Sequence, residues 1–152
     1  MIEILVVVAI VAITLTTLLG VATFSLKASG SLRGTAQANF LAQEVMEAVR
    51  NFRDGTDWAT AGLGILTIGS TYHPEKTTTI PKKWTMVSGE ETIGIFKRKV
   101  VFERVWRDLN DDIADSGTQD LNTRKVTATV SWKYKGEDKN VELVTYLTNW
   151  KQ

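Results

Sequence analysis

Cysteine is absent from the 152-residue chain, histidine occurs once and proline twice. The first absence excludes disulfides and thiolate metal centres and leaves the redox compartment open. The single His73 excludes any site that needs two imidazoles and reads as a surface loop residue. An excess of either charge is also missing. Eighteen basic residues face 17 acidic ones, for a net charge of +1, so no basic stripe marks nucleic acid as the main partner. Serine-nucleophile, phosphate-loop and zinc-hydrolase motifs are lacking, and Gly62-x-Gly64 meets Gly69 at the wrong spacing for a phosphate cradle. No enzymatic activity is expected.

The most informative absence is local: no charged residue occurs from Ile4 to Leu26. Those 23 residues would form a helix of about 35 Å, against a hydrocarbon core of about 30 Å. A secretory signal would carry a basic flank, a shorter apolar stretch and a small-residue cleavage site, whereas here Glu3 stands in place of the base. A buried core helix would be shorter or carry a polar stripe. A membrane-spanning helix over residues 1–27 is therefore expected.

Helical periodicity continues past the apolar run. Leu32, Ala36, Phe40, Leu41, Val45, Ala48, Val49 and Phe52 recur at spacings of three and four, predicting an amphipathic continuation over 28–54. Gly30 and Gly34 mark a bend or looser stretch within it. Asp54-Gly55 is a stop signal, with Gly as a left-handed cap. A continuous helix over residues 1–53 would measure about 80 Å.

Residues 55–152 read as a head domain. The Gly- and Thr-rich stretch 55–92 holds both prolines and predicts loop, with short strands at Gly64–Ile68 and Trp84–Val87. Ile93–Arg107 is rich in β-branched and aromatic residues and reads as one long strand. Lys125–Lys135 alternates Val126, Ala128, Val130, Trp132 and Tyr134 against Thr127, Thr129, Ser131 and Lys133. Asn140–Trp150 should return as its hairpin partner. The expected class is α+β: a long N-terminal helix whose amphipathic half covers an antiparallel sheet of three to four strands.

Met1-Ile2-Glu3-Ile4-Leu5-Val6-Val7-Val8-Ala9-Ile10 resembles the N-terminal signature of type IV pilins and pseudopilins, from its third mature residue onward. Residues 37–54 look like the amphipathic helix of minor pilins and pseudopilins. The first match covers about the first 25 residues and is the specific one. The resemblance implies a structural subunit, anchored singly in the cytoplasmic membrane with its head outside. It then packs into a cell-surface pilus or a periplasmic pseudopilus, of the kind that serves type II secretion. Homologous subunits would meet through the apolar helix, with Ile4, Leu5, Val8, Ile10, Val11, Leu15, Leu18 and Leu19 in the filament core. Glu3 would pair with a neighbour's N-terminal ammonium, since a carboxylate in low dielectric is tolerable beside a cation. A prepilin peptidase and methylation of the new N-terminus are implied as well.

Met1 stands where the family has Leu, and the family's leader, cleavage glycine and first two mature residues lie outside this sequence. With a start at Met1 itself, processing and methylation would drop out. Lys27 and Arg33 follow the span, so the positive-inside rule alone places the head in the cytoplasm; a basic leader upstream reverses that. From another class, the alternative is a monomeric, signal-anchored domain that binds a ligand outside the membrane.

One polar constellation remains. Asp108, Asn110, Asp111, Asp112, Asp115, Asp120 and Asn122 crowd one inter-strand segment, and such oxygens are ligands that Ca²⁺ prefers. Asp108, Asn110, Asp112 and Asp115 are the candidate ligands. The EF-hand pattern fails, because its glycine position holds Ile113 and no Glu closes the loop. The other reading is a solvated turn built from turn-forming residues. The five tryptophans read mainly as core, with one or two left for a partner surface.

Overall fold

The computed structural model describes residues 1–150, and two compact units divide the chain between Ala36 and Gln37. One helix, α1 (Ile2–Gly55), crosses that division without a break in its backbone pattern. Gly30 and Gly34 are both helical. The helix ends where expected, by a different device. Gly55 is its last residue and lies outside the set of glycines with positive φ, while the Thr56 hydroxyl donates to the Phe52 carbonyl at 2.6 Å. A side-chain hydroxyl thus satisfies an end carbonyl that a backbone amide would satisfy in a left-handed glycine cap.

In the first unit, Met1–Ala36, no residue is buried. Its threonines turn inward on their own helix. Thr14 donates to the Val11 carbonyl, Thr16 and Thr17 to that of Ile13, and Thr23 to that of Gly20. Their hydroxyls are satisfied without a partner and offer no polar cost to an apolar environment.

The second unit packs residues 37–55 of α1 on a sheet. The buried stripe is Ala38, Ala42, Val45, Met46, Ala48, Val49 and Phe52. It begins later and on a slightly different face than the sequence periodicity suggests, for Leu32 and Phe40 are exposed. Ala38 and Ala42 are fully buried against Phe96, Val130 and Trp132. Small residues there bring the helix backbone close under two large rings and turn Phe40 away.

Seven strands form the sheet, more than the three to four expected: β1 (Thr71–Lys76), β2 (Trp84–Ser88), β3 (Glu91–Ile93), β4 (Phe96–Arg107), β5 (Ile113–Ala114), β6 (Thr118–Tyr134) and β7 (Glu137–Thr148). The main order is β2-β1-β4-β6-β7, with β3 and β5 pairing onto β4, and every pairing is antiparallel. The long strands alternate as read: Val126, Ala128, Val130 and Trp132 are buried on β6. They lie beside Val100, Phe102 and Phe96 of β4 in the pairs Val100↔Ala128, Phe102↔Val126 and Phe96↔Trp132. Lys135 and Gly136, both at positive φ, join β6 to β7, the conformation a two-residue hairpin turn demands.

Three sequence expectations need correction. Gly64–Ile68 is turn and loop, because Gly64 is pressed against Trp58: a Cβ there would lie 2.4 Å from the Trp58 carbonyl oxygen. The strand of this region is β1, which contains Pro74. Ile93–Arg107 is split by a turn at Gly94, whose φ is +61°, so that Ile93 folds back to pair with Phe96. Finally, β6 begins at Thr118 and runs through Asp120 and Asn122, with its register shifted between Arg104 and Val105 of β4.

Candidate functional site

Fourteen of the residues from Ile4 to Leu26 are Ile, Leu, Val or Phe. Each favours insertion by about 0.3–0.6 kcal/mol near the centre of a bilayer helix, for a sum of roughly 4–8 kcal/mol. By length and composition, α1 is the one helix among the described residues able to cross a membrane, and none of its most apolar window is buried. Ile4, Leu5, Val8, Ile10, Val11, Leu15, Leu18 and Leu19 are each between 49 and 70 % exposed. In water such a surface is far larger than the apolar patches of ordinary monomers and marks a membrane or protein contact.

Glu3 lies in the first turn of α1, where the helix dipole favours an acid. The Leu5 amide donates to the Met1 carbonyl at 3.4 Å. Glu3 makes no ion pair within its own chain among the described residues, so its carboxylate is available to a cation from elsewhere.

The acidic segment is organised around an arginine. Arg107 Nε donates to Asp120 Oδ2 at 2.8 Å, and Arg107 Nη1 donates to the Asp111 carbonyl at 2.6 Å. Hydrogen bonding to Asp120 raises the Arg107 pKa further. Burial pushes the Asp120 carboxyl up, but hydrogen bonds from Arg107, Thr123 and the Asn122 amide outweigh it and leave the group below its ordinary value. Asp108 Oδ1 accepts from the amides of Asn110 and Asp112, at 2.8 and 3.0 Å, which makes it the brace of a turn. Asp111 takes φ +68° to close that turn.

Of the four candidate calcium ligands, Asp108 is thus committed to backbone. Among the described residues, no three His, Cys, Asp or Glu side chains converge in a way that would hold a metal ion. Arg107 instead engages Asp120 at 2.8 Å and lies 3.6 Å from Asp111.

Two buried cations were not anticipated from the sequence. Arg98 is 5 % exposed and holds Glu44 of α1 at 2.8 Å and Glu91 of β3 at 2.6 Å. The signal for it is parity, since Arg98 occupies an inward position between Phe96 and Val100 on β4. Arg124 lies over the Trp58 ring, with its guanidinium carbon 5.7 Å from the centroid, and donates to the carbonyls of Leu121, Thr123 and Gly64. Burial lowers its pKa. Both arginines fasten the head together. Among the tryptophans, Trp58 and Trp132 are buried, while exposed Trp150 donates to Asp54 Oδ1 at 3.0 Å.

Comparison with protein-family models, with curated proteins and with solved structures finds no match to this chain.

Proposed function

We propose that the chain is a structural assembly subunit resembling a type IV pilin or pseudopilin, most like a minor pilin or pseudopilin. It is held in the cytoplasmic membrane by Ile4–Leu26 and later packed through that helix against homologous subunits. The carrying observation is the exposed apolar surface of residues 4–26, on a helix whose later residues form the core of a folded head. In this reading the helix has two successive environments, lipid and protein, both apolar. Packing between helices then depends on close contact and on satisfying the rare polar group. Glu3 is that group, and a neighbour's terminal ammonium is its counterpart. The head is displayed outside the membrane as part of a pilus or pseudopilus, and its role is structural, without catalysis.

Mass spectrometry of the N-terminal peptide from native membranes tests the processing this role entails. A methylated residue a short way upstream of Met1 is the expected result. An unmodified terminus at Met1 would instead favour the simple anchored, ligand-binding domain.

A further inference from the structure

In the head domain, the two most exposed large apolar side chains are Ile80 and Leu109, at 93 and 106 %. Each stands on a loop whose charge has a single sign, and the two signs are opposite. Ile80 lies in the β1–β2 connection with Lys82 and Lys83, beside Lys76 at the end of β1, and no acid falls between residues 76 and 89. No ion pair engages these three lysines among the described residues; Lys76 rests instead over the Trp84 ring at 4.7 Å. Leu109 lies among Asp108, Asp111, Asp112 and Asp115, no base falls between residues 108 and 120, and Arg107 at the base of the segment offsets Asp120 and Asp111 only, leaving an acidic excess.

Both loops are held at their bases. The Thr77 amide donates to the Lys83 carbonyl at 2.8 Å, and the Lys83 amide to Thr77 Oγ1 at 2.9 Å. The Asp108 amide donates to the Asp112 carbonyl at 3.0 Å, and β5 pairs with Trp106 and Arg107. An exposed aliphatic tip on a braced loop costs little entropy to dock, and complementary charge around it sets orientation and excludes wrong registers.

We infer that the basic β1–β2 loop of one copy docks on the acidic β4–β6 segment of a second copy, Ile80 and Leu109 meeting at the centre and Lys82 and Lys83 facing Asp111, Asp112 and Asp115. The occupant follows from charge complementarity: Arg107 pairs only with Asp111 and Asp120, no ion pair engages Asp112 or Asp115 among the described residues, and this chain itself carries the opposite charge on the β1–β2 loop. Because the two loops differ, the contact is heterologous and repeats from copy to copy without a two-fold axis, the kind of contact that builds open assemblies. It rests on the proposed assembly role and specifies how heads meet once helices are packed. A small contact suffices there, since packed helices hold the heads at high effective concentration.

The absence of cysteine gives a clean test. Full-length Ile80→Cys and Leu109→Cys chains are co-expressed, and their membranes and sheared surface material are oxidised. The expected result is a disulfide-linked dimer that neither variant forms alone, several-fold more abundant than from Ile80→Cys with Val144→Cys on the outer sheet face. Its yield should fall when oxidation is carried out in about 1 M salt, where the Debye length is about 3 Å. Lys82→Glu with Lys83→Glu should abolish the dimer, and Asp112→Lys with Asp115→Lys in the second chain should restore it. A yield no higher than the Val144→Cys control overturns the docking. If sheared assemblies of wild-type chain are present in that case, the assembly role stands and only the docking fails; if they are absent too, both fail.

Discussion

Arg98 Nη1 on β4 donates to Glu44 Oε2 on α1 at 2.8 Å, across the interface between the sheet and the amphipathic part of the helix. The same guanidinium reaches Glu91 through Nε, so one buried cation joins three elements. A hydrogen bond to a charged group contributes about 1.5–3 kcal/mol.

Arg98→Ala is therefore expected to destabilise the head by about 2–3 kcal/mol. The loss stays below that of a fully buried pair because Glu44 and Glu91 remain open to water. Arg98→Met, which refills the space of the side chain, should cost less than half as much. Urea titration of the detergent-solubilised chain, followed by tryptophan emission, measures both. Equal stability of Arg98→Ala and wild type would remove this clasp from the account.

Acid should act partly through Asp120. Its folded pKa lies below its ordinary value, which is about 3.9 in an unfolded chain. A depressed carboxyl contributes stability that is fully present above the unfolded pKa and is lost as pH falls through the folded pKa. Asp120→Asn should thus lower stability at pH 6 and flatten the fall in the urea midpoint below about pH 4. A variant whose midpoint falls as steeply as wild type across that range would show that Arg107 and Asp120 do not govern the acid limb.

Gly117 takes φ +142°, and a Cβ there would lie 2.1 Å from the Arg107 carbonyl oxygen. Gly117→Ala is expected to cost more than the roughly 1–3 kcal/mol of a strained backbone residue, because backbone must also move. The effect should concentrate in β5 and the start of β6, as faster amide hydrogen exchange. Unchanged protection there would contradict it.

Calcium should leave the thermal midpoint unchanged, because Asp108 braces a turn and no three acidic side chains converge among the described residues. A ligand at about 100 times its Kd would stabilise by about 2.7 kcal/mol, easily seen by calorimetry. A rise of that size in millimolar Ca²⁺, reversed by chelator, would contradict this arrangement.

The parts of this fold legible in sequence are those where one periodicity acts alone. Ile4–Leu26 carries no charge, and the residues of β6 from Val126 to Trp132 alternate without interruption. The strands of 55–92 are masked, because Pro74 sits inside β1 and Gly64, apolar in its surroundings, lies pressed on Trp58. Phe40 fits a helical stripe by spacing, yet the approach of Ala38 and Ala42 to Phe96 and Trp132 decides which face is buried. Of the site residues, Glu3 and the apolar helix stand out by composition. Arg98 and Arg107 do not, because their meaning depends on carboxylates distant in sequence. The aspartates of 108–120 stand out by composition, but that two of them engage Arg107 is visible only in the structure.

The most direct test of the assembly role compares wild type, Glu3→Ala and Glu3→Asp in the sheared surface fraction and in the membrane fraction of the same cells. The account predicts that Glu3→Ala remains in the membrane at wild-type level but is lost from the sheared assemblies, with Glu3→Asp partly restoring it. Incorporation of Glu3→Ala at the wild-type level would contradict the pairing of Glu3 with a neighbouring subunit and return the helix to a plain anchor.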